Sequence, residues 1–431
     1  MHQERTPPSR LASLQYRDFR LLWLGQLVST TGSQMQLIAV NWHIYELLRG
    51  QTYILTILGR EVRLGAEALG LGTLGLVRIL PIILFALLGG MVADTRDRRR
   101  VLMGTQSTAG LFALLLAAVT LSGNASVPVV YLLTAAGAAT AAFDEPARQS
   151  LVPNLVPRRH LANAISLNTL LWYAATIIGP ALAGVLVGAF QVGLVYALSA
   201  LAFGAGLAAL MPMGYRSGAA AQGTRLGWRA LVEGLRFTYR SRIIWSTMML
   251  DFLATFFSSA RTMLPIVAGD VLGVGAAGYG LLATAQPVGA VLTGVVLALR
   301  REIRRQGLVL LVSVAVYGLA TALFGLSTVF ALSYLFFGMT GAADTVSTVI
   351  RGTIRQLVTP DHLRGRMTSV NMIFFMGGPQ LGELEAGLVA SLFGAPLAIV
   401  TGGLATVLLT GWIAWRYPQL RRYAGGLAEQ P

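Results

Sequence analysis

The sequence predicts an all-α integral membrane protein of twelve transmembrane helices in two pseudo-symmetric six-helix bundles. Three observations carry that expectation. Of the 431 residues, 55% are hydrophobic and only 12% are charged, with a mean hydropathy of +0.65. Too few charges exist to coat the outer faces of a soluble helical protein. Apolar stretches of about 20 residues, the length that crosses a bilayer, recur twelve times along the chain. The second half also repeats the first in outline: Arg148-Gln-Ser-Leu-Val-Pro-Asn-Leu-Val-Pro157 returns as Arg351-Gly-Thr-Ile-Arg-Gln-Leu-Val-Thr-Pro360. Arg148/Arg351, Pro157/Pro360, Ser166/Ser369, Asn168/Asn371 and Gly184/Gly387 share one offset of 203 residues (351 − 148). In a chain this apolar, a half-length repeat points to a transporter made of two related bundles.

The first six spans fall at 20–48, 69–93, 101–122, 128–147, 164–188 and 191–212, and the second six at 243–269, 277–299, 307–326, 329–350, 367–391 and 394–416. Residues 1–212 are therefore expected to form one bundle and 243–431 the other, joined by a cytoplasmic linker at 213–242. The linker opens on the flexible composition Gly214-Tyr-Arg-Ser-Gly-Ala-Ala-Ala-Gln-Gly223. It continues with Trp228, Leu231, Leu235 and Tyr239 at helical spacing opposite Arg229, Glu233, Arg236 and Arg240. That pattern suits a basic amphipathic helix lying on the membrane surface.

Charge placement sets the orientation. All 33 basic residues are arginine and the formal net charge is +15. Of the 33, 28 fall in the N-terminal segment, every second gap between spans, and the C-terminal segment. The intervening gaps carry none, except the first, which holds Arg49, Arg60 and Arg63. The positive-inside rule then places both termini of this multi-pass protein in the cytoplasm; a bacterial cytoplasmic (inner) membrane is its expected location. Basic residues spread in this way, without aromatic interleaving, argue against nucleic acid as a partner. The first apolar run is too long for a signal-peptide core and lacks a small-residue cleavage site, so the first span is expected to stay in the membrane. No cysteine is present, so there is no disulfide framework.

Enzymatic chemistry finds little support. The four histidines, His2, His43, His160 and His362, show no metal-ligand spacing, and a chain without lysine has no Walker motif. No catalytic residue, metal or cofactor is expected. Transport without an ATP site would draw on an ion gradient.

Two motifs carry a family resemblance. Gly89-Gly-Met-Val-Ala-Asp94-Thr-Arg-Asp-Arg98-Arg99-Arg100 lies between spans two and three. It resembles the loop motif of the major facilitator superfamily, G-x-x-x-D-R/K-x-G-R/K-R/K, at Gly90, Asp94, Arg98 and Arg99. Thr95 and Asp97 depart from the pattern. Ile178-Gly179-Pro180-Ala-Leu-Ala-Gly184 in span five resembles the antiporter signature of the same superfamily at Gly179, Pro180 and Gly184, with Ala183 in place of a glycine. Phe19-Arg-Leu-Leu-Trp-Leu-Gly-Gln-Leu-Val-Ser29, the Pro-Ala-Arg-Gln149 turn and Arg364-Gly-Arg-Met-Thr-Ser369 narrow the resemblance to its enterobactin-exporter and macrolide-efflux-like branch. The resemblance implies the twelve-helix major facilitator fold, a gating role for the loop motif and export for the kink. Residues 49–67 depart from it, because the family joins its first two spans tightly.

Ionisable groups inside spans are costly and tend to face a cavity or a partner. Asp251, Asp344, Glu383 and Glu385 are the candidates for proton coupling. Glu383 and Glu385 lie two apart, about 200° round a helix, so both cannot enter one cavity. Glu383 occupies the repeat position of Pro180 (383 − 180 = 203), near mid-membrane, and is the leading candidate. Asp251 and Arg261, ten apart, do not share a face. Gln34, Asn41, His43, Arg78, Arg261, Trp172, Tyr173, Phe256 and Phe374 are candidates to line a substrate cavity, its aromatic members forming an apolar wall. Arg148/Arg351 and Pro157/Pro360 are expected to act as matched hinge elements.

The expected function is secondary active transport: proton-coupled efflux of a bulky amphipathic small molecule, such as a siderophore, macrolide or other drug, by alternating access. The expected partners are that substrate, protons and membrane lipids, with the protein acting as a monomer. Two alternatives stay open, an uncoupled facilitator or lipid flippase of the same fold and a non-transporting membrane receptor or scaffold.

Overall fold

The computed structural model describes residues 11–57, 60–215, 235–300, 303–360 and 363–425. Long helices follow in the order expected of the twelve spans. The first six are α1 (Arg17–Leu48), α2 (Ala66–Thr95), α3 (Arg98–Leu121), α4 (Val127–Leu155), α5 (Leu161–Ala189) and α6 (Val192–Leu210). The second six are α7 (Arg242–Phe257), α8 (Gly275–Leu299), α9 (Gln306–Leu326), α10 (Phe330–Val358), α11 (Arg364–Phe393) and α12 (Ala395–Arg416), and a short α13 (Pro418–Arg422) ends the described chain. Among the described residues, nine helices are long and apolar enough to cross a membrane. The other three, α1, α10 and α11, have the length but carry glutamines, arginines and carboxylates, among them the candidates Gln34, Asp344, Glu383 and Glu385.

Local sequence explains the breaks. Gly123, at φ +74°, follows the end of α3, where a left-handed residue terminates a helix without steric cost. Gly394, at φ +86°, turns the chain between α11 and α12. Span seven differs from the single helix expected. It stops at Phe257, turns through a 3₁₀ segment at Ala260–Met263, and resumes through Leu264–Ile266 into a π-helical turn at Val267–Val271. Pro265 sits in the first turn after the break, where its missing N–H breaks no helical hydrogen bond. The 49–67 insertion is an antiparallel hairpin, β1 (Thr52–Ile57) with β2 (Arg60–Gly65), registered Tyr53 to Leu64 and Leu55 to Val62.

The chain divides into two compact units, Met1–Val40 with Val77–Gly223, and Asn41–Leu76 with Thr224–Pro431. In the first, Phe19, Leu22, Leu102, Ala147, Leu151 and Ala164 pack into a buried cluster joining α1, α3, α4 and α5. In the second, Leu250, Leu310, Val314, Ile350, Ile354 and Ile413 join α7, α9, α10 and α12. Most of the amphipathic linker, including Trp228, Arg229, Leu231 and Glu233, lies outside the described residues. Residues 235–240 are helical.

Candidate functional site

The first unit carries an open cavity of about 680 Å³ lined by α1, α3, α4, α5 and α6. Gln34, Trp172 and Tyr173 line it, as the sequence suggests. Its wall is mixed: apolar surface makes up the larger part, and Gln26, Ser29, Thr30, Ser33, Thr105, Gln106, Asn168 and Thr169 add amides and hydroxyls. The lining positions of α1 and α5 recur at three- and four-residue intervals, so they share one helix face. On the same wall Arg148 forms an ion pair with Asp144, its Nε donating at 2.9 Å. Thr105 Oγ1 and Gln106 Nε2 donate to the other carboxylate oxygen at 2.6 and 3.2 Å. The repeat arginine of α4 is therefore held by a carboxylate one turn earlier on its own helix.

The loop motif lies in the same unit. Asp94 is in the last turn of α2, and Gly90 has open space where a side chain would project. Asp97 caps the N-terminus of α3, accepting from the backbone N–H of Arg99 at 3.0 Å and Arg100 at 3.4 Å. This accounts for its presence where the family pattern has glycine. Arg98 Nη1 donates to the Ser150 carbonyl of α4 at 3.2 Å. Arg99 donates to the carbonyls of Leu210 and Met211 at the end of α6. Both arginines thus place positive charge near the carboxyl ends of neighbouring helices, where the helix dipole favours it.

The antiporter-like segment sits inside a continuous α5, with Gly179, Pro180 and Gly184 buried. A Cβ on Gly179 would lie 2.5 Å from Gln34 Cβ and 3.0 Å from the Thr31 carbonyl, so this glycine lets α5 cross α1 at close range. Its repeat partner does the same in the second unit. Gly382 (382 − 179 = 203) lies where a Cβ would meet the Phe256 carbonyl of α7 at 2.3 Å.

In the second unit the other repeat arginine, Arg351 of α10, is 6% exposed. Its Nη1 pairs with Asp251 of α7, and its Nη2 lies 3.4 Å from Asp344 and donates to Thr348 Oγ1 at 2.9 Å. Asp251 and Asp344 are thus brought together around one guanidinium, a partnership across about a hundred residues that no local spacing signals. Breaking a buried ion pair strands the remaining charge. Asp251→Asn should therefore lower stability by about 3 kcal/mol, read as a fall in the thermal unfolding midpoint in detergent. The half-exposed Asp344 should tolerate the same change better. Arg261 lies in span seven as expected, exposed on the 3₁₀ turn after α7. Phe256 and Phe374 join an aromatic row with Phe252, whose ring is 5.9 Å from Phe256 and 6.0 Å from Phe374. They do not line the cavity of the first unit.

The end of α1 from Asn41 and the start of α2 as far as Leu76 belong to this second unit. Asn41 and His43 are buried there. Asn41 Nδ2 donates to the Tyr279 hydroxyl at 3.3 Å, and Trp42 stacks on the Tyr279 ring. The Tyr45 hydroxyl and Arg49 Nη2 both donate to Asp270 Oδ1, at 2.7 and 2.8 Å. Because Arg49 stays 58% exposed, its ion pair adds little to stability.

Glycines also let α2 and α11 pack closely. A Cβ on Gly72 would lie 2.7 Å from Gly387 Cα, and one on Gly75 would lie 2.9 Å from both Cβ and a carboxylate oxygen of Glu383. Glu383 therefore sits in a helix crossing made possible by glycines. Glu385 is half-buried on the same helix, and Arg78 is half-buried on α2 in the first unit.

A model of the transmembrane secretion effector family matches residues 8–424. The enterobactin exporter of Salmonella typhimurium strain LT2 is 27% identical over 344 residues, spanning 78% of this chain and 81% of that protein. The enterobactin exporter of Citrobacter koseri is 26% identical over 412 residues, 94% of this chain and 93% of that one. Among solved structures, a bacterial homologue of the iron transporter ferroportin in the inward-facing state aligns with a TM-score of 0.66 at 16% identity, covering 94% of this chain and 99% of that one. A bacterial homologue of the human lysosomal transporter Spinster, inward-facing and unoccupied, aligns with a TM-score of 0.68 at 14% identity, covering 95% and 99%. At these identities the structural likeness speaks for the fold alone.

Proposed function

We propose that this chain, which belongs to the transmembrane secretion effector family of major facilitator transporters, is a proton-coupled exporter of a bulky amphipathic small molecule. It works as a monomer by alternating access in a bacterial cytoplasmic membrane, with both termini inside. Efflux fits the relatives named as exporters, and the cavity of the first unit lies within the range of small-molecule sites.

One observation carries the coupling: the seat of Glu383 against Gly75 at the α2–α11 crossing. In the proposed orientation α2 begins and α11 ends on the outer side, so the crossing lies in the outer half of the membrane. A carboxylate there makes closure depend on its charge. An ionised group in a helix contact within the bilayer is costly, and proton uptake removes that cost. Proton binding and release at Glu383 then bias the crossing between closed and open.

The test is flux of a macrolide and a catecholate siderophore in vesicles reconstituted with the purified protein. Transport should rise several-fold under an imposed pH gradient and collapse with a protonophore. Equal flux with and without the gradient would support the uncoupled facilitator or flippase. No flux of either compound would support the receptor.

A further inference from the structure

We infer that the cavity of the first unit is a binding site for uncharged molecules rich in hydroxyl and amide groups that also carry a flat aromatic part, and that it excludes anions. This rests on the exporter reading and names the substrate class which that reading leaves open.

Charge comes first. Among the described residues lining the cavity the charged ones are Asp144, Glu145 and Arg148. The one cation, Arg148, is taken by Asp144, and Glu145 accepts from Gln149 Nε2 at 2.7 Å. The wall thus carries a formal excess of one negative charge and offers no cation to an anionic ligand.

Hydrogen bonding points to the class admitted. The side-chain oxygens of Gln26, Gln34 and Asn168 are buried and have no hydrogen-bond partner among the described residues. Such acceptors are expensive to leave unmet. An amide turned about its last torsion presents either a donor or an acceptor, which suits ligand hydroxyls and amides, since these do both.

The internal repeat shows that the arrangement is particular to this half. Asn371, the counterpart of Asn168, accepts a hydrogen bond from Arg355 Nη1. The residue at the position of Arg355 in the first half is Val152 (355 − 203 = 152), which lines the cavity. One unit fills the place beside this asparagine with a guanidinium, and the other leaves a cavity. Trp172, also in the wall, keeps 53% of its surface uncovered, a ring face on which a flat group can stack.

The test is calorimetric titration of the full-length protein in lipid nanodiscs, without a pH gradient. The probes are a neutral flavonoid glucoside, tetraphenylphosphonium and naphthalene disulfonate. The glucoside should bind, and Asn168→Leu and Trp172→Ala should each weaken it about fivefold or more. Asn168→Gln, which keeps the amide, should recover most of the affinity. If Asn168→Leu fails to run as a single species on gel filtration, Trp172→Ala carries the test. No binding of the glucoside, equal affinity in the variants, or tighter binding of the disulfonate would overturn the site. Flux of the glucoside in vesicles separates the two readings. Binding with this variant pattern but no gradient-driven flux leaves the site standing and removes proton coupling. Gradient-driven flux that is indifferent to Asn168→Leu does the reverse.

Discussion

Glutamine at position 383 should abolish efflux driven by an imposed proton gradient while leaving the protein folded and able to exchange substrate. The substitution keeps the length of the side chain, its Cβ and its hydrogen-bonding capacity. The packing against Gly75, where a Cβ would already stand 2.9 Å from the carboxylate, should therefore survive. What is lost is the change of charge. Each unit of pH difference offers about 1.4 kcal/mol per proton moved, and a transporter without a titrating group at the crossing cannot draw on it. Gradient-driven flux should fall to the level seen with a protonophore, whereas counterflow at equal pH should persist. Both are measurable in the same vesicles. Unchanged pH-dependent transport would remove Glu383 from the mechanism and shift attention to Asp251 and Asp344, which share the Arg351 guanidinium.

Much of the fold could be read from the chain because membrane helices announce themselves by length and apolarity. The failures share a cause, which is that tertiary partners leave no local trace. The offset of 203 tied Arg148 to Arg351, but spacing could not reveal that one is held by Asp144 on its own helix and the other by Asp251 on α7. The two arginines that the repeat offers as hinge elements are both engaged in ion pairs. Other features do leave a local trace. Asp97 directly before a helix is a capping residue by type. Thr52-Tyr-Ile-Leu-Thr-Ile57, followed by Leu58-Gly59 and the alternation of Arg60-Glu-Val-Arg-Leu64, is a hairpin pattern. Pro265 marks the interruption of span seven. With 49 glycines in the chain, no composition argument could single out Gly72, Gly75, Gly179, Gly382 and Gly387 as the crossing points. They are picked out only by what a Cβ would strike.

That geometry gives the second large effect: valine at position 387 should hold α2 and α11 apart. A Cβ there would lie 2.6 Å from Gly72 Cα and 2.8 Å from the Ala68 carbonyl. Both are backbone atoms, which cannot rotate away as a side chain can. Overpacking of this kind costs about 3 kcal/mol, enough to change the balance between closed and open crossings about a hundredfold. A transporter that must close this crossing once per cycle should lose turnover in proportion, although the helices still insert. Gly377→Ala on the same helix, where a Cβ meets nothing within 4 Å, should transport normally. The absence of cysteine from the chain makes the structural prediction directly readable. Ala68, 3% exposed beside the crossing, can be replaced by a single cysteine and challenged with a membrane-impermeant maleimide. It should label slowly in the parent background and many-fold faster with Gly387→Val. Equal labelling together with intact transport would show that α2 and α11 need not meet at these glycines, and would leave Glu383 no contact through which to act.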